Sequence, residues 1–538
     1  IFLIFLTIIQ KLLGHLIPII TSISFLLIGT YLINKKKFIF SIIILFLSLF
    51  ILVYFNSILE WLFALGVDSF SEGQNFALYE AFFFVTTIFE ILQLPSLNVL
   101  LLLISLWLSL LIFLIFINSY FLKITKISFI TGFGSLIFIS GYVYLQINTS
   151  YKSNSELFTK INNNFEVMPD TSAKFNNNLD LYIYIGESSS SLHWGLYNYP
   201  RNTNPKLSKL IDSNNFIKFN NALSPHTHTS PSLLKSLSIP IIENENGLLD
   251  SIYSTKIKRK SIVSFLEETG IETIWISNQE KTGTFNFASS IIANKSKKQL
   301  WSIDNNLMSN QVTVERPFDH EYFDKSLKSM TKTDNPRTIF LHSYAGHGPY
   351  LSSIPHEFKS KIDNNFSEID PKAFQGNLEI WKSQGAIDTV EQYDSSISYV
   401  DFSINQILEK NVKNKSKPTV LIYFSDHGES PSTRRGHDSS RFIHEMITVP
   451  FIVYFNNSAI NAFPKLHKEL KNYAESGHPF SIEQLPFLIS QIFDIQSEIL
   501  NDENFTKKTN ILKHNPNLVI RETNRGKSAV ILDRKFFN

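Results

Sequence analysis

The sequence predicts two parts: an N-terminal bundle of membrane-spanning α-helices, and an α/β domain with a mostly parallel central sheet flanked by helices. Two observations support this fold class. Residues 1–147 are almost continuously apolar, whereas the residues from Asn148 onward are mixed and polar. From about Asp180, short apolar runs alternate with amphipathic stretches, which is typical of a parallel sheet with helices on both faces. We therefore place a membrane segment at 1–147, a linker at 148–179 and a second domain at 180–538.

Composition excludes several classes of protein. The formal net charge is only +2 over 538 residues, so nothing in it indicates a nucleic-acid partner. The absence of cysteine excludes disulfides, Cys-ligated zinc and a cysteine nucleophile, but it does not assign a compartment. The chain begins at Ile1 rather than at Met, so we expect its true N-terminus to be missing or processed.

Four stretches of the apolar segment are long enough to cross a bilayer, which needs about 20 apolar residues in a helix. They are residues 15–33, 38–55, 97–117 and 127–147, and residues 1–9 are predicted to be the end of a truncated fifth span. Lysines occupy the first and last short loops between these spans, which places both loops in the cytoplasm. The loop 56–95 and all residues after 148 then lie outside. A buried helical core of a soluble protein is the weaker alternative, because such long uncharged stretches are unusual in a core.

The outer loop contains a helical pattern, LYEAFFFVTTIFEILQ, at residues 78–93. Thr86 and Glu90 are four residues apart and share one helix face. A glutamate near a membrane surface is costly enough to suggest a function. An interfacial helix with one solvated glutamate explains this stretch equally well.

Acidic residues and histidines follow the predicted strands of the second domain. Glu187 ends the run LYIYIGE, and Asp426 and His427 lie near the end of TVLIYFSDHGE. His347 follows the run TIFLHS. Ligands bind beyond the carboxyl ends of strands in such sheets, and carboxylates and imidazoles are ligands of divalent metals such as zinc or manganese. The sequence therefore predicts a metal site, with loop residues that cap helices and turns as the alternative.

A candidate nucleophile lies in the segment ALSPHTHTSPSLLKSLS. Ser230 and Pro231 are typical of a helix start, followed by three leucines on one face, so Thr229 would lie at the helix N-terminus. Backbone N–H groups and the helix dipole there stabilise an alkoxide and a transferred phosphate, and a nearby metal would lower the pKa of the hydroxyl. Taken alone, the segment is explained better by an N-cap role for Thr229 or Ser230.

Several segments together resemble the bacterial phosphoethanolamine transferases, a membrane-anchored branch of the alkaline phosphatase and sulfatase superfamily. They follow one another from residue 181 to about residue 455, and they are LYIYIGESSSSLHWGLYNYPRNTNPKL, LHSYAGHGPY, YDSSISYVDFSINQIL, FSDHGES and RGHDSSRFIHEMITVPFIVYF. Sulfatases carry Cys or Ser, any residue, Pro, any residue and Arg at the nucleophile. Here Thr229 and Leu233 stand at the first and last of these positions, which favours the transferase branch, whose nucleophile is threonine.

The resemblance implies a metal site and its chemistry. Glu187, Thr229, Asp426 and His427 match the residues that hold the catalytic metal, which would be zinc, with manganese as the alternative. Thr229 would accept phosphoethanolamine from phosphatidylethanolamine and pass it to an envelope glycan. The implied location is the bacterial inner membrane, with several spans in the bilayer and the catalytic domain in the periplasm.

The resemblance also implies roles around the metal. His347 and His437 match positions that line the active site, where they would bind a second metal or the phosphoryl group, or move a proton. His444 is the alternative to His437 as a substrate-binding residue. Thr86 and Glu90 match a Thr-x-x-x-Glu pair that contacts the ethanolamine headgroup.

The sequence departs from the family pattern in three places. Phe82 replaces an asparagine that often precedes the Thr-x-x-x-Glu pair, which puts the identity of the donor in doubt. The cysteines that form periplasmic disulfides in many members are absent. The segment SPHTHT replaces a Cys-Gly-Thr-x-Thr pattern, which favours lipopolysaccharide core or another glycan over lipid A as the acceptor.

Three alternatives remain at this point. A phosphoglycerol transferase of the same superfamily would share the spans, the metal and Thr229, and differ in its donor. A phosphatase or phosphodiesterase would use water as the acceptor. A non-catalytic membrane sensor is disfavoured by the intact set Glu187, Thr229, Asp426 and His427.

Overall fold

A computed structural model describes most of the predicted second domain, residues 180–538, and some residues before it. The described residues are 25, 37, 40–45, 159, 161–165, 169–241, 258–281, 287–303, 316–331, 333–359, 384–431, 436–437, 444–501, 520–521 and 530–531. The chain divides into two compact units, Ile1–Glu156 and Leu157–Asn538.

In the first unit, Phe25 and residues 40–45 are helical. Phe40, Ile42 and Ile43 expose more than half of their surface. Within the described residues, no helix is both long and apolar enough to cross a membrane. The predicted spans, apart from these few positions, lie outside the described residues, and so do Phe82, Thr86 and Glu90.

The second unit is built on a seven-stranded sheet. Its strands are β1 (Asp180–Gly186), β2 (Phe216–Phe219), β6 (Glu272–Glu280), β7 (Lys298–Ile303), β8 (Arg337–His342), β9 (Thr419–Ser425) and β10 (Phe451–Phe455). Their order across the sheet is β2-β10-β9-β1-β8-β6-β7, and only β10 runs against its neighbours. The prediction of a mostly parallel sheet is confirmed.

Shorter strands form three small sheets beside the main one. They are β3 (Ala222–Leu223) with β11 (Phe480–Ser481), β4 (Ser238–Ile241) with β5 (Lys258–Ser261), and β12 (Ile520–Arg521) with β13 (Val530–Ile531). The last pair is antiparallel, as expected for the runs LVIRE and AVILD near the end of the chain.

Helices cover both faces of the main sheet. They are α1 (Thr229–Ser236), α2 (Ile262–Glu268), α3 (Phe287–Ala293), α4 (Asp319–Lys328), α5 (Gln384–Ile407), α6 (Asn457–Ala462), α7 (Pro464–Glu475), α8 (Leu485–Phe493) and α9 (Glu498–Asn501). A π-turn, Leu408–Val412, extends α5. Side chains of α1, α2, α3 and α8 join one buried cluster, and those of α4 and α5 join the other.

Strand β1 shows why the sheet has two cores. Leu181, Ile183 and Ile185 belong to one cluster, whereas Tyr182 and Tyr184 belong to the other. Successive side chains of a strand point to opposite faces, and all seven residues of β1 are buried. A continuous apolar run of this kind is expected for a central strand that is covered on both sides.

The described part of the interval predicted as a linker packs onto the second unit. Ile161 is buried in the first cluster, at 1% exposure. The backbone of Lys174 pairs with that of Gln496, and the N–H groups of Asn176 and Asn177 donate to the carbonyl of Phe493. The polar asparagines therefore satisfy backbone groups at the end of α8 instead of forming a free connection.

Candidate metal centre and active site

The carboxyl ends of four adjacent strands meet at one edge of the sheet. Glu187 follows β1, Asp426 follows β9, and Ser343 follows β8, while Gln279 lies near the end of β6. The register places Gly186 beside Ser425 and Ile185 beside His342. Parallel pairing therefore brings together polar residues that lie far apart in the chain, at the edge where open α/β sheets bind ligands.

Glu187, Asp426 and His427 form a buried group at this edge. Their exposures are 1%, 0% and 0%. His427 Nε2 lies 3.6 Å from Glu187 Oε1 and 3.5 Å from Asp426 Oδ2. One ligand atom from each residue lies within 4.8 Å of the others, a spacing that allows all three to contact one metal ion.

The hydrogen bonds of His427 leave one ring nitrogen for a ligand. Nδ1 lies 2.8 Å from the carbonyl oxygen of Gly428, which can only accept, so Nδ1 carries the proton and donates. Burial, reinforced by the nearby His437, lowers the pKa of His427 to about 4. The imidazole is therefore neutral at pH 7, with the lone pair of Nε2 directed at the two carboxylates, the form that binds a metal.

The two carboxylates differ in their electrostatic environment. Burial and the neighbouring charge of Glu187 raise the pKa of Asp426 well above its usual range. Burial alone would raise the pKa of Glu187 too, but the positive charge of His427 and His347 in their protonated forms, and hydrogen bonds from Ser188 and Gln279, lower it. Two buried carboxylates this close repel each other when both are ionised, and a cation between them removes that cost.

The donor set fits a divalent cation. Asp426 Oδ1 accepts the N–H groups of Ser188 and His427, at 3.0 and 2.8 Å. Oδ2 is buried and accepts no hydrogen bond from any residue that the structure describes. Zinc takes carboxylate oxygen and imidazole nitrogen at about 2.0–2.2 Å, usually with four ligands, and a buried carboxylate oxygen without a donor is suited to that bond.

Thr229 lies next to this group. It is the first residue of α1, which begins two residues before Pro231, as the sequence predicts. Its Oγ1 lies 3.2 Å from His427 Nε2 and 3.5 Å from Glu187 Oε1. On the same helix, the hydroxyl of Ser232 donates to the carbonyl of Asp426, which ties α1 to the end of β9. The hydroxyl thus combines a helix N-terminus with a cluster of ligand atoms.

A second group of possible ligands shares His427. Glu429, at 5% exposure, accepts from Tyr350 through Oε1 at 3.0 Å, and its Oε2 lies 2.7 Å from His437 Nδ1. The ring centroids of His427 and His437 are 4.7 Å apart. Burial would lower the pKa of His437, but the charge and hydrogen bond of Glu429 raise it to about 9. A metal or a phosphoryl oxygen bound in this group would therefore contact His437, whose ring is hydrogen-bonded to the Glu429 carboxylate.

His347 lies on an exposed loop at the rim of the site. Its ring stacks on Tyr344 with centroids 5.2 Å apart, and the guanidinium of Arg316 lies 3.4 Å from the centroid of the Tyr344 ring. Asp319 accepts the backbone N–H groups of Tyr344 and Ala345, so the first residue of α4 holds this loop. A side chain added at Gly346 would collide with the carbonyl of Glu187. The loop therefore packs directly against the backbone of Glu187, and His347 is its exposed residue nearest to the site.

Comparison with known proteins assigns the chain to a family. A family model described as Sulfatase matches residues 181–474, more than half of the chain. The chain belongs to the sulfatase family. The matched residues include Glu187, Thr229, His347 and Asp426, and so the whole edge of the sheet described above.

Within the sulfatase family, the chain is a distant homologue of phosphoethanolamine transferases. It is 25% identical over 330 residues to phosphoethanolamine transferase EptC of Escherichia coli strain K12, an alignment covering 59% of this chain and 52% of that protein. It is 26% identical over 280 residues to phosphoethanolamine transferase EptA of Helicobacter pylori, covering 51% and 47%. The chain thus spans about half the length of the curated relatives that it matches. The resemblance inferred from the motifs is confirmed at the level of the family.

A solved structure supports the fold. The C-terminal periplasmic domain of EptC from Escherichia coli, in complex with Zn, matches with a TM-score of 0.50 and 21% identity, over 62% of this chain and 87% of that domain. The sulfatase-like α/β fold of the second unit is therefore shown.

The structure brings together most of the residues singled out in the sequence. Glu187, Thr229, Asp426 and His427 form one group, and His437 adjoins it. Neither His347 nor His444 is among the clustered metal-ligand groups found in the described part of the chain.

His444 occupies the edge of a different buried network. It begins the 3-10 turn His444–Met446, is half-buried, and has its pKa lowered by that burial. The next residue, Glu445, lies 2.8 Å from His193 Nε2, and Asp394 lies 2.9 Å from His193 Nδ1. His444 therefore lies beside a structural ion-pair network, whereas His437 faces the metal group.

Two residues of the site were not predicted. Glu429 stands within the motif FSDHGES, two residues after His427, and this spacing was the available signal. Gln279 has no local signal, because only the pairing of β6 with β8 brings it to Glu187.

Proposed function

We propose that this chain is a metal-dependent phosphoethanolamine transferase that moves the headgroup of phosphatidylethanolamine onto a cell-envelope glycan through Thr229. The observation that carries the proposal is the position of the Thr229 hydroxyl, at the N-terminus of α1 and 3.2 Å from His427 Nε2. A hydroxyl beside a buried carboxylate–imidazole cluster is suited to nucleophilic attack on a phosphoryl group. The activity of the curated relatives agrees with this choice.

The metal in this proposal is zinc, with manganese as the alternative. Glu187, Asp426 and His427 would hold it, with Thr229 as the fourth ligand. When bound, the cation would lower the pKa of the Thr229 hydroxyl and offset negative charge on the phosphoryl oxygens. The periplasmic domain of Escherichia coli EptC forms a complex with Zn, which supports this choice of metal.

The chain's own residues perform two displacements in this proposal. Thr229 Oγ1, whose proton passes to solvent, attacks phosphorus, and the bond from phosphorus to the diacylglycerol oxygen breaks. His437 donates a proton to that oxygen, so diacylglycerol leaves as the alcohol and phosphoethanolamine stays on Thr229. In the second step an acceptor hydroxyl gives its proton to His437 and attacks phosphorus, and the bond to Thr229 breaks. The Glu429 carboxylate orients His437 for both transfers, and the N–H groups at the start of α1 stabilise the phosphoryl oxygens.

The predicted domains and the remaining candidate residues also have roles in this proposal. Residues 1–147 would form the inner-membrane segment and 180–538 the periplasmic catalytic domain. The interval 148–179 would connect them, and its described part packs on the core of the second unit. Thr86 and Glu90 would contact the ethanolamine headgroup, while His347 would contact the phosphoryl group or the acceptor. His444, half-buried beside Glu445, is the weaker candidate for substrate contact.

The deciding experiment is the mass of the Thr229 peptide after the full chain, in detergent, is incubated with phosphatidylethanolamine. We expect a phosphoethanolamine adduct that fragmentation localises to Thr229, and that persists in Ser230→Ala. A phosphoglycerol adduct formed with phosphatidylglycerol instead would keep the nucleophile and change the donor. Release of free phosphoethanolamine without acceptor, with no adduct, would indicate a phosphodiesterase.

A further inference from the structure

The amide of Gln279 links the metal-site carboxylate to a neighbouring strand. Gln279 Nε2 donates to Glu187 Oε2 at 2.9 Å and to the carbonyl oxygen of Ser343 at 2.8 Å. Gln279 is only 3% exposed, and Glu187 only 1%. Because an amide nitrogen carries two hydrogens, both donors of Gln279 are used in this arrangement.

The two carboxylate oxygens of Glu187 have different hydrogen-bond donors. Oε2 accepts from Gln279, whereas Oε1 accepts from the Ser188 hydroxyl at 2.7 Å and lies nearest to His427 and Thr229. A carboxylate held at one oxygen cannot rotate about its terminal torsion without breaking that bond. The orientation of the oxygen that faces the ligand cluster is therefore set from β6.

The support for Gln279 is itself rigid. The preceding residue, Asn278, donates to Asp319 Oδ1 at 2.7 Å and to the carbonyl of Pro317 at 2.8 Å. Ser343, which receives the second bond from Gln279, donates its own N–H to the carbonyl of Ile185 in β1 at 2.9 Å. The amide is thus anchored to three neighbouring strands and to the start of α4.

We propose that Gln279 is a positioning residue that orients the Glu187 carboxylate for metal binding and for catalysis at Thr229. This inference rests on the proposed function, since it assumes that Glu187 is a metal ligand. Residues that orient ligands in this way typically change metal affinity by about 10- to 100-fold. Glutamate at position 279 would keep the size of the side chain but remove both N–H donors and place a negative charge against Glu187 and the Ser343 carbonyl.

The chain offers a matched control for this substitution. Gln299, on β7, donates its amide to the carbonyls of Ala293 and Asn294, at 2.8 and 3.4 Å. Gln299→Glu therefore removes a pair of amide donors from a partly buried glutamine and adds the same charge, but contacts no candidate ligand.

The test is the dissociation constant of Zn²⁺ for the full chain in detergent, measured by competition with a chelating dye, together with the unfolding temperature. We expect Gln279→Glu to weaken zinc binding at least tenfold and Gln299→Glu to change it less than twofold. In a Glu187→Ala background, Gln279→Glu should change the affinity less than threefold, because the residue acts through Glu187. Gln279→Ala gives the same comparison if Gln279→Glu fails to fold.

Three results would overturn the inference. The first is a zinc affinity of Gln279→Glu or Gln279→Ala within twofold of that of the parent. The second is a loss of zinc affinity in Gln299→Glu as large as that in Gln279→Glu. The third is a loss of zinc affinity from Gln279→Glu that is as large in the Glu187→Ala background as in the parent. If the parent chain binds no divalent metal, the metal-dependent function fails together with this inference. If the parent binds zinc and forms the Thr229 adduct while Gln279→Glu binds normally, only the inference fails.

Discussion

At the scale of single residues, the site consists of side chains whose hydrogen bonds leave specific atoms for a ligand. His427 donates through Nδ1 and keeps Nε2, Asp426 accepts through Oδ1 and keeps Oδ2, and Glu187 divides its oxygens between Gln279 and the cluster. The atoms that face the cluster are therefore His427 Nε2, Asp426 Oδ2 and Glu187 Oε1, and the Thr229 hydroxyl lies within hydrogen-bond distance of the first and the last. The ability of this group to bind a metal depends on which atom of each residue faces the cluster, and not only on residue type.

Thr229→Ala should abolish the reaction without unfolding the domain. The hydroxyl would be lost, whereas α1 keeps Pro231 in its first turn and its bond from Ser232 to Asp426. We expect diacylglycerol release from phosphatidylethanolamine to fall at least about 10³-fold, as for loss of a nucleophile, with the unfolding temperature nearly unchanged. Ser230→Ala is the control and should keep activity. Substantial turnover in Thr229→Ala would exclude Thr229 as the nucleophile.

Metal removal should lower stability, because the cation offsets two buried carboxylates. Zinc at about 100 times its dissociation constant should stabilise the folded chain by about 2.7 kcal/mol, seen as a higher unfolding temperature than in chelator. Asp426→Asn should remove most of that difference.

Asp401→Asn is the matched control for this metal effect. Asp401 is also buried, but its carboxylate accepts the N–H groups of Lys206 and Leu207 away from the cluster. Burial raises the pKa of Asp401 to about 7, so an amide resembles its protonated form. We expect the zinc effect to persist in this variant, and its loss there would argue against a site at Asp426.

At the scale of elements, a buried ion-pair network joins three segments that surround the metal group. His193 lies in the loop after β1, Asp394 on α5, and Glu445 in the turn that follows the metal motif. Asp394 also accepts from Tyr199 and Arg201, which belong to the YNYPRNTNP segment. The backbone of Met446 accepts the N–H of Gly428, and a side chain at Gly428 would collide with the Glu445 carbonyl. The network therefore fixes the turn that supports His427.

His193 should make the stability of the domain pH-dependent. Burial would lower the pKa of His193, but its bonds to Asp394 and Glu445 raise it to about 9, from an ordinary value of 6.5. Because the folded-state pKa is the higher one, the stabilisation is fully present below about pH 6.5 and is lost as the pH rises through 9. A shift of this size corresponds to a contribution on the order of 3 kcal/mol.

The measurement is urea unfolding of the parent and His193→Gln at pH 6.5 and pH 9.5. The parent should lose more stability between these pH values than the variant does. His467→Gln is the control, since His467 is buried but bonds the carbonyl of Asn214. Equal pH dependence in the parent and in His193→Gln would show that His193 does not carry the effect.

At the scale of the whole molecule, the second unit includes residues well before its first strand. The division between the units falls at Leu157, and Ile161 and Ala173 are buried in the core cluster. Asp170 accepts from the hydroxyls of Ser172 and Ser497, which joins this segment to the residues before α9. The sequence composition around the asparagines suggested a connection, whereas the described part of this segment packs on the core of the second unit.

A chain that begins at Leu157 should therefore be more stable than one that begins at Asp180. The shorter chain loses the burial of Ile161, which contributes about 1.5–3 kcal/mol, and the backbone bonds to Phe493 and Gln496. We expect a lower unfolding temperature for the chain from Asp180, with zinc binding retained by both. Equal unfolding temperatures would show that residues 157–179 do not stabilise the domain.

Local patterns in the sequence were sufficient for several features of this protein. Apolar runs predicted β1, β6, β8 and β9, the mostly parallel sheet followed from strand–helix alternation, and Pro231 predicted the start of α1 that places Thr229. Acidic residues at strand ends predicted the group Glu187, Asp426 and His427. The strands and the start of α1 depend on neighbours within a few residues, so they can be read without knowing the fold. The meeting of Glu187 with Asp426 depends on the pairing of β1 with β9.

The tertiary structure decided the partners of these residues. Pairing of β6 with β8 brings Gln279 to Glu187, and folding of the segment after β9 pairs His437 with Glu429, whereas His444 begins the turn that contains Glu445. It also decided that residues before Asp180 pack on the core. Strand order and loop packing join residues that are distant in sequence, and no local propensity encodes such contacts. The sequence therefore predicted which residue types lie at this edge of the sheet, and the fold determined which of their atoms face one another.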